Sequence, residues 1–173
     1  VRALLALIDR LSAAAAVVAA LCLALLALLV LGEVAAVTLF NRSLEVTWEY
    51  GAFLMAAAFF LGLPWTLNSG GHVRVQLIQE GLPPGVRHAV DLAATLVALA
   101  VAGFLTVALF KLAWSSWIDG SRTFTVTATP LVVPQGIVTL GAALMALQLF
   151  ARAVRLTLGE APDTATPRRE DRG

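Results

Sequence analysis

Five ionisable side chains, Glu33, Glu49, His72, Arg74 and Lys111, stand within or against long apolar stretches of this 173-residue chain. A charge beside so much apolar sequence is a functional candidate by default, because it has to be paired, hydrated or used. Two carboxylates and one ammonium suggest an ion pair of Glu33 or Glu49 with Lys111. The two histidines, His72 and His88, raise the question of haem ligation. His72 and Arg74 can also donate hydrogen bonds to a carbonyl, a carboxylate or a phosphate. Enzyme constellations are missing from the sequence: it has no G-x-S-x-G, no H-E-x-x-H and no P-loop. No catalytic residue, metal site or cofactor is expected. The single cysteine, Cys22, excludes a disulfide within the chain and reads as a small core or lipid-facing residue; the residues before it fit a lipoprotein acceptor poorly.

What must position these residues is a set of membrane helices. The chain is 60% hydrophobic and 13% charged, against about 45–50% and about 25% for a soluble domain. A span needs roughly 20 apolar residues. Four runs qualify, and the expected spans are 11–40, 46–67, 86–117 and 130–154. The first apolar run is too long for a cleaved signal peptide and three more follow, so a retained helix is expected. Pro130 and Pro134 place the start of the fourth helix near Pro130, since proline is tolerated in a first turn. The fold class is therefore all-α and integral to the membrane. The net charge of +1 gives no signal for nucleic acid.

Four spans put both termini on one side. Arg2, Arg10, Arg74, Arg87, Arg152, Arg155, Arg168, Arg169 and Arg172 fall on that side, and Arg42, Lys111 and Arg122 on the other. The excess of positive charge predicts cytoplasmic termini. Trp48, Trp114 and Trp117 then sit at the outer ends of their spans and Trp65 at an inner end, as an interfacial aromatic belt requires. Glu33, Glu49 and Lys111 all fall near the outer interface. Glu33 is roughly 33 Å beyond Leu11 and Lys111 roughly 30 Å beyond Leu92 at 1.5 Å per residue. No charge remains at mid-depth, which argues against ion or substrate passage through this chain alone. Small residues offer helix-contact faces, with Ala16, Ala20 and Ala24 on the first span, and Ala56 to Ala58 with Gly62 on the second.

Between the second and third spans lies SGGHVRVQLIQEGLPPGVRH, residues 69–88. On a helical wheel His72, Gln76, Gln79 and Glu80 share one stripe of segment 72–82, and Val73, Val75, Leu77, Ile78 and Leu82 take the rest. That predicts an amphipathic interfacial helix. Gly70 and Gly71 permit the turn into it, and Pro83 and Pro84 end it. Arg74 projects among the apolar residues, either snorkelling to lipid phosphate or reaching a partner. His72 and His88 both lie at the membrane surface, not across a bundle core, so haem is not expected. The tail 159–173 is charged, contains prolines and has no apolar face, so it is expected to be a disordered cytoplasmic segment.

The stretch WEYGAFLMAAAFFLGLPWTLNSGGHVRVQLIQEGLP resembles the small permease subunit of TRAP transporters, the DctQ-like family. The residues that carry the resemblance are Trp48, Glu49, Gly62, Gly71, His72, Val73, Arg74, Val75, Leu82 and Pro83. Arg42 ahead of the second span, and Pro134, Gly136 and Gly141 ahead of Arg152 and Arg155, are similar to the family pattern as well. Gln76 stands where the family usually carries an acid. The resemblance runs over roughly residues 10 to 156. It implies a bacterial inner-membrane protein paired with a large multi-span permease and served by a periplasmic substrate-binding protein. It implies sodium-driven uptake of an organic acid, with this chain as scaffold. Arg42, Glu49, Gly71, His72, Arg74 and Pro83 become assembly residues under the resemblance, and membrane lipids the other partner. A small subunit of another carrier, or a standalone four-helix channel, is the alternative.

Overall fold

A computed structural model describes residues 2–69 and 83–158. Four helices run α1 Arg2–Phe40, α2 Thr47–Asn68, α3 Pro84–Ile118 and α4 Val132–Thr157. Each is long and apolar enough to cross a membrane. Among the described residues there is no strand, and the sole sheet-like feature is one isolated antiparallel bridge between Arg122 and Pro130. The chain is thus an all-α, four-span membrane protein. The interfacial helix expected over 72–82, the residues Gly71, His72 and Arg74, and the tail 159–173 lie outside the described residues.

Local chemistry sets the helix limits. The Ala- and Leu-rich α1 meets no breaker before Asn41, which adopts φ +52° directly after Phe40. Asparagine tolerates this left-handed conformation and ends a helix there. Pro83 precedes α3 in an extended conformation, as a residue followed by proline prefers. Gly120, at φ +60°, turns the chain after α3. The start expected for the fourth helix moves two residues: Pro130 lies in the bridge with Arg122, and Pro134 occupies the first turn. At the other limit α1 begins at Arg2, nine residues before the expected boundary. It is therefore roughly 58 Å long, well beyond the roughly 30 Å of a hydrocarbon core.

The helices pack as two central and two flanking. α2 lies on α4, α1 on α2 and more lightly on α4, and α3 on α4. Small residues make the contacts. Ala15 and Ala19 of α1 meet Leu61 of α2, with Leu144 of α4 packed against them. The contact face of α1 runs through Leu5, Ile8, Ser12, Ala15 and Ala19. It is offset from the expected stripe, since Ala20 and Ala24 are exposed. A run of alanines looks alike from every side, and only the docked neighbour selects a face.

The closest approach is between α2 and α4. Pro64 lies inside α2 and has no N–H to give to the carbonyl of Phe60 one turn earlier. Against that same carbonyl packs Gly141 of α4. A Cβ placed on Gly141 would stand 2.7 Å from the carbonyl carbon and oxygen of Phe60. The glycine permits a backbone-to-backbone contact that any side chain would block.

Candidate functional site

The polar side chains gather at the two ends of the bundle. One end carries the start of α1, the end of α2, the start of α3 and the finish of α4; it is called the terminal end here. The opposite, far end carries the connections 41–46 and 119–131.

At the far end Glu33 and Glu49 each hold a loop. Glu33, in the last two turns of α1, accepts from Ser43 Oγ at 2.6 Å, Thr47 Oγ1 at 2.7 Å and the Leu44 amide at 2.9 Å. It thereby ties the α1–α2 connection back onto α1. Glu49, in the first turn of α2, is 8% exposed. Its Oε1 accepts from Thr123 Oγ1 at 2.7 Å, and its Oε2 accepts from the hydroxyls of Thr125 and Thr127. Thr129 extends this set: its amide donates to Thr123 Oγ1 at 3.0 Å and its hydroxyl lies 3.3 Å from that of Tyr50. Residues 123–129 read TFTVTAT. The chain turns through 124–127, with Ala128 at φ +45° and the Thr123 amide donating to the Thr129 carbonyl; this fold-back gathers the threonine hydroxyls on Glu49 and leaves Phe124 and Val126 exposed.

The expected ion pair of Lys111 with Glu33 or Glu49 does not form. Hydroxyls surround both carboxylates, joined at Glu33 by the Leu44 amide, and Lys111 is exposed on α3. The reason is local supply. Ser43 and Thr47 lie beside Glu33 in sequence, and the threonine-rich loop folds onto Glu49 without needing a distant cation. Trp48, Trp114 and Trp117 stand at the far end and Trp65 toward the terminal end, all four exposed. Arg42, in the first connection, and Pro83, before α3, are exposed too.

At the terminal end α4 is fastened on both sides. Arg155 Nη2 donates to Asp9 Oδ2 of α1 at 2.6 Å, with the two side chains 6% and 23% exposed. Gln148, which is 1% exposed, donates from Nε2 to Asp9 Oδ1 at 3.0 Å and accepts from Ser12 Oγ at 3.3 Å. On the opposite flank Arg152 Nε donates to Thr95 Oγ1 of α3 at 3.2 Å, and its Nη2 lies 3.9 Å from Asp91 Oδ1. Asp9, Asp91, Thr95, Ser12 and Gln148 are not candidates from the sequence, and Arg152 and Arg155 count there toward membrane orientation and the family pattern but not as fasteners. A signal was present: Gln148, Arg152 and Arg155 follow i, i+4, i+7 spacing, one face of a helix. Asp9 precedes the span read from the sequence, because apolar content alone places the start of that helix at Leu11.

Between the two ends lies a slab without charge. No charged residue occurs from Leu11 to Gly32 in α1, Tyr50 to Asn68 in α2, Leu92 to Phe110 in α3, or Val132 to Ala151 in α4. Asp9 and Glu33 are separated by 24 residues of one helix, roughly 36 Å. The polar clusters therefore bracket a bilayer-thick layer. Every described carboxylate and guanidinium in these clusters is engaged by side chains or backbone of the same chain. Their chemistry is that of fasteners, which hold the helices and loops in register.

The model of the family described as tripartite ATP-independent periplasmic transporters, DctQ component, matches residues 26–159. The match takes in α1 from residue 26 onward, all of α2 to α4, and both far-end connections. No curated protein and no solved structure matches the chain.

Proposed function

The chain belongs to the DctQ family, the small membrane component of tripartite ATP-independent periplasmic transporters, and we propose that it scaffolds a large multi-span permease subunit. In this reading the large subunit carries an organic acid, handed over by a periplasmic binding protein and driven inward by a sodium gradient. The chain sits in a bacterial inner membrane with both termini cytoplasmic, so the far end is periplasmic. One observation carries the scaffold role: the charge-free slab between the two polar ends. An ion-coupled pathway for an organic anion calls for polar groups or broken helices near the midplane. The described spans offer continuous apolar helices there, fastened to one another at either end.

Exposed apolar faces fit the same role. α1 and α3 flank the bundle, and each leaves most of its apolar length uncovered by the rest of the chain. Such faces can meet lipid or the helices of a larger subunit. Arg42, Glu49, Gly71, His72, Arg74 and Pro83 are proposed as assembly residues on the strength of the family pattern. Glu49 would act through the loop that it holds. Arg74→Ala should weaken assembly or uptake more than Gln79→Ala, and equal effects would count against a special role for Arg74.

The deciding experiment is a mild-detergent pull-down of the chain expressed with its native neighbours, with mass spectrometry of what stays bound. A stoichiometric large permease is the expected result. A stable four-helix protein recovered alone would overturn the scaffold reading.

A further inference from the structure

An apolar groove of about 440 Å³ opens between α3 and α4 near the far end. Phe110, Trp114 and Trp117 form one wall, and Val132, Gly136 and Ala143 form much of the other. Along α4 the groove spans 12 residues from Val132 to Ala143, a rise of roughly 16 Å. We propose that it holds one acyl chain of a phospholipid from the far-end leaflet, with the lipid phosphate attracted by Lys111 and Arg122.

Lining selects the class of occupant. Thr139 carries the one hydroxyl among the lining residues, and it donates to the Gln135 carbonyl at 2.7 Å, so the groove offers a ligand little but apolar surface. One extended hydrocarbon chain suits that lining. Gly136 points the same way. A Cβ built on Gly136 meets nothing within 4 Å, whereas Gly141 five residues later is pressed against Phe60. Gly136 therefore serves no helix contact within the chain. A glycine inside a helix costs about 1 kcal/mol relative to alanine. Here it leaves the floor of the groove open.

Charge complementarity selects a phospholipid. Lys111 is exposed on α3, next in sequence to Phe110 of the groove wall. Arg122 is exposed and pairs through its backbone with Pro130, two residues before Val132 at the groove mouth. Its Nη1 donates to the Ala128 carbonyl at 3.0 Å. Among the described residues neither cation has a carboxylate partner within ion-pair distance. Long basic side chains at a membrane boundary extend toward headgroup phosphates. Trp114 and Trp117 mark that boundary on the same wall. The proposal rests on the chain spanning a bilayer and is independent of the scaffold role.

The test uses the full chain purified in detergent, delipidated, and titrated with phosphatidylglycerol or phosphatidylcholine under native mass spectrometry. The wild type should retain one phosphatidylglycerol. Gly136→Leu, which fills the groove without meeting other atoms at its Cβ, should cut retention at least tenfold. Gly136→Ala controls for helix propensity and should retain the lipid. Lys111→Gln with Arg122→Gln should lower the preference for phosphatidylglycerol over phosphatidylcholine by about fivefold per cation, from about 1 kcal/mol each. Unchanged retention in Gly136→Leu would overturn the groove assignment. An unchanged headgroup preference in the double variant would overturn the role of the two cations. Loss of a co-purified large permease in Gly136→Leu, with lipid retention unchanged, would give the groove to a partner side chain and refute the proposal.

Discussion

Gly141→Ala is the sharpest perturbation of the bundle. The new methyl carbon would stand 2.7 Å from the Phe60 carbonyl carbon and oxygen and 2.8 Å from its Cβ. Carbon atoms prefer separations of about 3.5–4.0 Å, so α2 and α4 would have to part by about 1 Å. The obstacle is backbone, which no rotamer change can move aside. Overpacking of this kind costs about 1–3 kcal/mol. Alanine also returns about 1 kcal/mol of helix propensity, and this gain must be removed before the contact can be measured. Gly136→Ala makes the same chemical change on the same helix with open space around the methyl. The difference between the two variants isolates the steric term, about 2 kcal/mol. For a chain of this size that is a gap of about 4–8 °C in Tm. Thermal unfolding of both variants in one detergent, followed by tryptophan fluorescence, measures it. Equal melting temperatures would refute the close approach of Gly141 to Phe60 and the packing order built on it.

Four further outcomes test the polar ends. Asp9→Ala leaves the buried Arg155 without its carboxylate and should destabilise the chain by about 3 kcal/mol, read as a fall in Tm; the charge exchange Asp9→Arg with Arg155→Asp should recover part of it, and no recovery would count against a specific pair. Glu49→Ala removes the shared acceptor of Thr123, Thr125 and Thr127, so limited proteolysis within 119–131 should quicken by tenfold or more, while cleavage within 41–46 stays unchanged. Glu33→Ala should give the reverse pattern, because its partners lie in the first connection; faster cleavage of both loops in both variants would mean global loosening. Lys111→Ala should leave Tm within about 0.5 kcal/mol equivalent, since it makes no ion pair with either carboxylate; a large drop would restore the pair expected from the sequence.

The dominant features of this chain were legible without a structure because they depend on local composition. A span is declared by a sustained run of apolar residues, since every backbone polar group in a bilayer must be satisfied within its own helix. The four helices and the charge-free middle both follow from that rule. So does the family resemblance over the second span, where residues and spacing are read directly. Helix ends were less legible. Apolar content marks where lipid ends, whereas α1 continues through Leu4 to Arg10 because nothing in those residues breaks a helix and α4 is there to pack against.

Tertiary structure decided the partnerships. Glu33, Glu49 and Lys111 share one depth, so charge alone matched them; the fold brought hydroxyls to each carboxylate first. Asp9 and Arg155 are 146 residues apart, and no periodicity within either helix announces that they meet. Gly136 and Gly141 look alike in sequence, five residues apart on one helix. Only the position of α2 makes one a close contact and the other the floor of an open groove. Composition chose what the helices are, because that choice is made between each helix and its solvent. Which faces meet is a choice among many similar apolar surfaces, and it is settled by small differences in shape and by a few polar fasteners that exist only once the bundle has formed.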